Sequence, residues 1–193
     1  MLKNLFLGIT ILSFLLTLVS TGQSASANPK VLIKTSKGDM TVELYEDKAP
    51  ISVQNFLSYV DDKYYDATIF HRVIKGFMIQ GGGFTTDFQK KPTKPSIKNE
   101  AGNGLKNKKG TLAMARTMDI NSATSQFFIN HVNNAFLDHK DDTEQGFGYC
   151  VFAIVTEGLD VVDTIANAPT MIKNGYNDVP RETIEIISIR RVE

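Results

Sequence analysis

Cysteine is nearly absent from the chain, and tryptophan is absent altogether. The one cysteine, Cys150, excludes an intramolecular disulfide and a four-cysteine zinc site. Neither sign of charge is in excess, because 21 Lys and Arg balance 21 Asp and Glu. A net charge of zero argues against a nucleic-acid-binding protein with a basic surface and gives no support for a polybasic membrane patch. With 42% hydrophobic and 22% charged residues, the 193-residue chain has the composition of one globular domain.

The long uncharged run of the sequence lies at the N-terminus. It extends from Leu5 to Ser20, follows Lys3, and leads into a small polar segment that ends Ala25-Ser26-Ala27. This is the layout of a cleavable secretory signal peptide. Its sixteen residues are slightly fewer than the roughly 20 that span a bilayer. We therefore expect residues 1–27 to be a signal peptide and residues 28–193 to be the mature domain, without membrane contact after cleavage; an uncleaved anchor is the alternative.

Short apolar segments separated by turn residues dominate the mature chain. They predict strands over residues 30–35, 40–44, 68–74, 77–80, 111–115, 126–130, 149–155 and 183–192, the last with a bulge near Ile187. Helical spacing predicts a helix after Pro50, with Val53, Phe56, Leu57 and Val60 on one face, and a second helix through Leu159, Val162, Ile165 and Ala166. Residues 81–109 are rich in Gly, Pro and Lys and predict a loop. Many strands with two helices favour a mainly β barrel or sandwich.

Three segments carry most of the residues that suggest chemistry. The first is Phe70-His-Arg-Val-Ile-Lys-Gly-Phe-Met-Ile-Gln-Gly-Gly-Gly-Phe84, and the second is Met114-Ala-Arg-Thr117. The third is Ser125-Gln-Phe-Phe-Ile-Asn130, followed by Phe136-Leu-Asp138 and Gly148-Tyr149. This ordered set resembles the cyclophilins, a family of peptidyl-prolyl cis–trans isomerases, over essentially the whole mature chain. The chain is most similar to the exported cyclophilins of Gram-negative bacteria.

The resemblance implies a closed eight-stranded antiparallel β-barrel capped by two α-helices, with the site on its outer face. It implies an isomerase of X–Pro bonds in folding proteins of the cell envelope, located in the periplasm. The substrates are then proline-containing polypeptides, and we expect a monomer with no cofactor, no metal and no nucleic acid.

Isomerisation of an X–Pro bond requires few chemical groups from a protein. Amide resonance raises a barrier of roughly 18–20 kcal/mol, and twisting the bond localises a lone pair on the proline nitrogen. A cation that donates a hydrogen bond to that nitrogen stabilises the twisted state more than either planar state, which is catalysis without a covalent intermediate. Arginine suits this role because it stays protonated and its planar fork can address two groups. An apolar pocket must also hold the pyrrolidine ring.

The resemblance assigns a role to each matching residue. Arg72 matches the catalytic arginine, and Gln80 and Gln126 match polar groups that hold the substrate backbone and orient the arginine. Ala115 matches a residue whose backbone lines the groove. The proline pocket is matched by four apolar residues: Phe77, Met78, Phe128 and Leu137.

The sequence departs from the family pattern at four positions. Arg116 stands where many relatives have Asn and adds a charge at the rim of the site. Phe136 stands where cyclosporin-sensitive members have Trp, which implies weak or no cyclosporin binding. Tyr149 replaces a common His, so that hydrogen bonding there must differ in geometry. Ala153 stands where Gly is usual, which puts the local packing in doubt.

The local register of the first segment conflicts with a shared site. A two-residue hairpin at Lys75-Gly76 pairs Ile74 with Phe77 and Arg72 with Ile79. Strand alternation then separates Arg72 from Met78 and Gln80. We therefore predict a bulge or an irregular turn here.

Other readings of the same residues remain open at this stage. A binding module or chaperone could bind proline segments without turnover, and a signalling or virulence factor could act on host proteins.

Phe127 and Phe128 must point to opposite faces of a strand, one towards the core and one towards the site. Cys150 lies in an apolar run and indicates core. Two further groups argue against metal ligands. Solvated or hydrogen-bonded side chains are predicted for the histidines His71, His131 and His139, and a solvated loop is predicted for the acidic run Asp138, Asp141, Asp142 and Glu144.

Overall fold

The computed structural model describes residues 28–192. The predicted signal peptide, residues 1–27, and its alternative as an anchor lie outside the described residues. The elements in chain order are β1 (Lys30–Thr35), β2 (Gly38–Leu44), α1 (Pro50–Asp61), β3 (Thr68–Ile74), β4 (Met78–Thr85), β5 (Thr111–Met114), β6 (Phe127–Asn130), β7 (Val151–Glu157), α2 (Leu159–Ala166), β8 (Thr170–Lys173), β9 (Tyr176–Pro180) and β10 (Glu185–Val192). Within this range no helix is long and apolar enough to cross a bilayer.

Eight of the strands close into an antiparallel barrel. Their order around the barrel is β1-β10-β3-β4-β6-β5-β7-β2, and β8 pairs with β9 in a separate hairpin. The predicted fold class, a closed eight-stranded barrel with two helices, is confirmed. The predicted bulge in the last strand is also confirmed, because Lys34 pairs with Ser188 and Thr35 pairs with Ile186, which leaves Ile187 without a partner.

The barrel interior is filled by side chains. Helix α1 begins at Pro50 and buries Phe56, whose ring lies 5.6 Å from that of Phe127 and 5.2 Å from that of Phe152. Alternation along the strands supplies the rest of the interior, as in other small barrels. Ala153 is fully buried in the same cluster, so the core accommodates its methyl group. Cys150 is buried there as predicted.

The predicted loop over residues 81–109 was wrong at its beginning. Strand β4 continues through the three glycines to Thr85. A Cβ atom at Gly81 would lie 3.1 Å from the carbonyl oxygen of Ile69, and one at Gly82 would lie 2.9 Å from the ring of Tyr65. The glycines therefore mark a close approach of the backbone inside a strand. The β8–β9 hairpin was not predicted from the sequence.

Candidate active site

The turn between β3 and β4 is irregular, as predicted. Ile74 pairs with Met78 and Arg72 pairs with Gln80, so the turn holds three residues rather than two. Gly76 has φ +76°, and the amide of Phe77 donates to the carbonyl of Ile74 at 3.0 Å. The pairing expected from a two-residue hairpin is therefore wrong. Residues opposite each other in an antiparallel pair share a face, so Arg72, Met78 and Gln80 lie on one side of the sheet.

A cavity of about 110 Å³ lies at this face of the barrel. Its lining consists of residues predicted for the site, namely Arg72, Phe77, Met78, Gln80, Ala115, Arg116, Phe128, Leu137 and Tyr149. The structure thus brings nine of the eleven predicted residues together around one cavity. Gln126 and Phe136 do not line it but contact residues that do. The Gln80 amide donates to Gln126 Oε1 at 2.9 Å, and the Phe136 ring stacks on Phe77 at 5.6 Å.

The floor of this cavity is an apolar cluster separate from the barrel interior. Met78, Phe128 and Leu137 are buried and pack with Ala113 and Val151. Phe127, the neighbour of Phe128 along β6, belongs instead to the interior cluster. The two phenylalanines therefore point to opposite faces, as the alternation predicts, and the cavity lies on the outer face of the barrel.

The cation at the edge of the cavity, Arg72, is held loosely. Its side chain is 43% exposed, and its nearest charged neighbour is Asp178, with Nε and Oδ2 separated by 3.8 Å. Within residues 28–192, no hydrogen bond joins Arg72 to Gln80, whose amide donates to Gln126 Oε1. The guanidinium is consequently available to a ligand in the cavity.

The second cation, Arg116, is bound to the protein instead. Its Nε donates to the carbonyl of Gly148 at 2.9 Å, and its Nη2 donates to the carbonyl of Glu144 at 3.0 Å. The guanidinium lies 4.9 Å from the centre of the Tyr149 ring, a cation–π contact. Arg116 therefore fixes the rim of the cavity and the orientation of Tyr149.

A partly buried polar network supports the turn that contains Phe77. The Asn134 amide donates to the Phe77 carbonyl at 2.9 Å and to Asn130 Oδ1 at 2.7 Å. The Gly76 amide donates to His131 Nδ1 at 3.0 Å, and His131 Nε2 lies 3.2 Å from Asp163. Sequence reasoning missed these residues. The available signal was the pair of asparagines beside an apolar strand, since buried amides need partners.

A wider cavity of about 310 Å³ adjoins the first and shares Arg72 and Gln80 with it. His71, Lys90 and Tyr176 also line it. Burial, and secondarily the charge of Arg72, lowers the pKa of His71 to about 4. His71 is therefore neutral at physiological pH, and Arg72 supplies the positive charge that the two cavities share.

The described residues contain neither an activated thiol nor a cluster suited to a metal. Burial raises the pKa of the Cys150 thiol to about 12, which keeps it protonated. No three His, Cys, Asp or Glu side chains between residues 28 and 192 are grouped as metal ligands. The cavity brings two arginines and one glutamine together with apolar walls.

The comparison with known families agrees with this fold and cavity. The family model described as cyclophilin type peptidyl-prolyl cis-trans isomerase/CLD matches residues 30–191, and the chain belongs to that family. It is a peptidyl-prolyl cis–trans isomerase, which selects the enzyme over the binding module considered from the sequence.

Curated relatives of this name are similar over nearly their whole length. The chain is 54% identical over 159 residues to peptidyl-prolyl cis-trans isomerase B of Escherichia coli, covering 82% of this chain and 97% of the relative. It is 48% identical over 185 residues to peptidyl-prolyl cis-trans isomerase A of Dickeya dadantii, covering 96% and 95%. A solved cyclophilin-type isomerase of Cryptosporidium parvum has a TM-score of 0.71 at 28% identity, covering 86% of this chain and 98% of that chain.

Proposed function

We propose that Arg72 is the catalytic residue and that it acts on the twisted X–Pro amide. The proline nitrogen carries a localised lone pair only when the bond is twisted, so a hydrogen bond from the guanidinium favours the transition state over both planar states. The observation that carries this proposal is the placement of a partly exposed, loosely held guanidinium at the edge of an apolar cavity. The reaction then needs no covalent intermediate.

The apolar cavity is suited to hold the proline ring while the preceding residue rotates. Phe77, Met78, Phe128 and Leu137 provide its walls. Excluding water from these walls strengthens the contact that Arg72 makes with the substrate. One of the solved neighbours, the Cryptosporidium parvum isomerase, was crystallised in the presence of the dipeptide Ala-Pro. A proline-containing polypeptide is the substrate that we propose for this chain.

The polar rim is suited to hold the substrate backbone. Gln80 and Gln126 are joined by a hydrogen bond that orders both amides, and the Ala115 amide donates to the Gln126 carbonyl at 3.0 Å. We assign these three residues to backbone binding. We assign Arg116 and Tyr149 to the shape of the rim, since the Arg116 side chain is engaged by backbone carbonyls.

The test of this function compares Arg72→Ala with Arg191→Ala, which removes an arginine from an exposed ion pair with Asp61. Isomerisation is followed on a cis-Pro peptide, and peptide affinity is measured by titration. We expect Arg72→Ala to lower kcat/KM by about 10²-fold to 10³-fold, the usual effect of losing a donor to the transition state, while peptide binding persists. Unchanged isomerisation in Arg72→Ala would refute the arginine mechanism.

We propose further that the enzyme serves the cell envelope as a periplasmic monomer that binds cyclosporin weakly or not at all. The sequence layout of residues 1–27 supports export, and Phe136 in place of Trp supports the weak cyclosporin binding. Cells expressing the full chain are fractionated, and the mature protein is sequenced from its N-terminus. A periplasmic product beginning at Asn28 supports the proposal, whereas retention in the membrane fraction with residues 1–27 intact contradicts it.

A further inference from the structure

The strand beside the catalytic arginine contains an unusual acidic residue. In the β8–β9 hairpin, Met171 pairs with Val179 and Lys173 pairs with Tyr176. Two residues of β9, Asn177 and Asp178, therefore stand opposite one residue of β8, which is the arrangement of a β-bulge. Bulges re-aim side chains and are frequent beside active sites.

The backbone of Asp178 adopts a conformation that favours glycine. Its φ is +61°, in the left-handed region that few side chains other than those of Asn and Asp tolerate. The next residue, Val179, is buried with Ile69, Phe84 and Phe88, which anchors this end of the strand on the barrel. The bulge and the left-handed backbone therefore hold the Asp178 carboxylate in a defined position relative to the barrel.

The carboxylate faces Arg72. Asp178 Oδ2 lies 3.8 Å from Arg72 Nε, and both side chains are partly exposed, at 40% and 43%. In the described part of the chain, no hydrogen bond restrains the Arg72 side chain, and its cross-strand neighbour Gln80 donates to Gln126. Asp178 therefore supplies the carboxylate closest to the guanidinium, and it can bias the orientation of Arg72.

We propose that Asp178 is a positioning residue for Arg72. The Asp178 carboxylate attracts the Nε side of the Arg72 guanidinium. This attraction favours the orientation in which the terminal nitrogens of Arg72 face the proline cavity. A separation of 3.8 Å is too long for a hydrogen bond, so the attraction is electrostatic and lets the arginine adjust to the substrate. Arginine has a flexible side chain, and restricting it before substrate arrives reduces the entropy lost in the transition state.

This inference rests on the proposed role of Arg72 and is tested with Asp178→Asn. Asparagine keeps the tolerance of a left-handed backbone, so the hairpin is retained while the charge is removed. Asp178→Gly is the second variant, because it also accepts this φ and removes the side chain entirely. The matched control is Glu182→Gln, which breaks the exposed ion pair with Lys37 just beyond the hairpin.

We expect kcat to fall by about threefold to fivefold in both Asp178 variants with little change in KM, the scale on which exposed ion pairs act. The difference in kcat between each Asp178 variant and wild type should become smaller at high salt, because salt screens exposed ion pairs. NMR relaxation of the Arg72 Nε–H group should show greater mobility in Asp178→Asn. Glu182→Gln should match wild type in each measurement.

A double-mutant cycle separates failure of this inference from failure of the arginine mechanism. In the Arg72→Ala background, Asp178→Asn should have no further effect, because the two residues act as one unit. An equal loss in that background, or an Asp178→Asn enzyme as fast as wild type or faster, overturns the positioning role. If Arg72→Ala itself leaves the rate unchanged, the proposed function fails first.

Discussion

Asn134 supports the wall of the proline cavity without lining it, and its removal tests how the fold holds the site. The residue is 2% exposed. Its amide group bridges the Phe77 carbonyl and Asn130 Oδ1, at 2.9 Å and 2.7 Å. The substitution Asn134→Ala removes both bonds and keeps the backbone contacts of the residue.

The two lost bonds have different costs. The Phe77 carbonyl also accepts from the His131 amide at 2.9 Å, so it keeps one hydrogen-bond partner in the variant. Losing its bond to Asn134 therefore costs about 0.5–1.5 kcal/mol. Asn130 is fully buried, and its Oδ1 loses the donor that it has among the described residues. An unsatisfied buried acceptor costs about 1–3 kcal/mol. We therefore expect the free energy of unfolding to fall by about 2–4 kcal/mol.

Urea unfolding followed by circular dichroism measures this change. With a slope of about 2 kcal/mol per molar urea, the midpoint should fall by about 1–2 M. The peptide KM should rise more than kcat falls, because the Phe77 wall loosens while Arg72 stays in place. The control is Asn133→Ala, an exposed neighbour whose Oδ1 accepts from the Lys109 amide, with an expected cost below about 1 kcal/mol. Equal midpoints for the two variants would refute the reasoning.

Two further predictions follow from single residues. The pKa of His71 is lowered to about 4 by burial and Arg72, so its stabilising contribution is complete above its unfolded pKa near 6.5 and is lost as pH falls towards 4. We expect His71→Gln to remove a pH-dependent loss of unfolding free energy on the order of 3 kcal/mol in this window, and an unchanged slope in urea titrations would contradict the assignment. Phe136→Trp should lower the cyclosporin Kd by about tenfold, because indole adds contact area and a donor at an exposed position. The new tryptophan is the chain's only one and reports binding by fluorescence; equal Kd values for variant and wild type would count against the role of Phe136.

Much of the fold was predicted from patterns among residues that are close together in the sequence. Alternation and helical spacing predicted each barrel strand and both helices, with ends displaced by a few residues. The strand containing Gly81–Gly83 was the main error, because glycine usually marks a turn. Its true role depends on Tyr65 and Phe127, which lie far away in sequence and close in space.

The site residues were predicted from the ordered motifs and the resemblance that they carry, and not from periodicity. The structure places nine of them around one cavity. Sequence reasoning missed Asp178 and Asn134, because each is distinguished only by a contact with a distant segment: Asp178 lies beside Arg72 and Asn134 beside Phe77. The pair of asparagines beside β6 was a weak signal for Asn134, and the local pattern around Asp178 carried none.

The sequence by itself determined a mainly β fold with two helices, the apolar and cationic residues available to a site, and the need for an irregular turn between Ile74 and Met78. These properties depend on residue type and on neighbours along the chain. Only the tertiary structure decided which groups hold those components in place, because folding packs the separate β8–β9 hairpin beside β3 and brings the Asn134 amide beside the Phe77 carbonyl. Such contacts join segments tens of residues apart, and their distances and burial exist only once the barrel has closed.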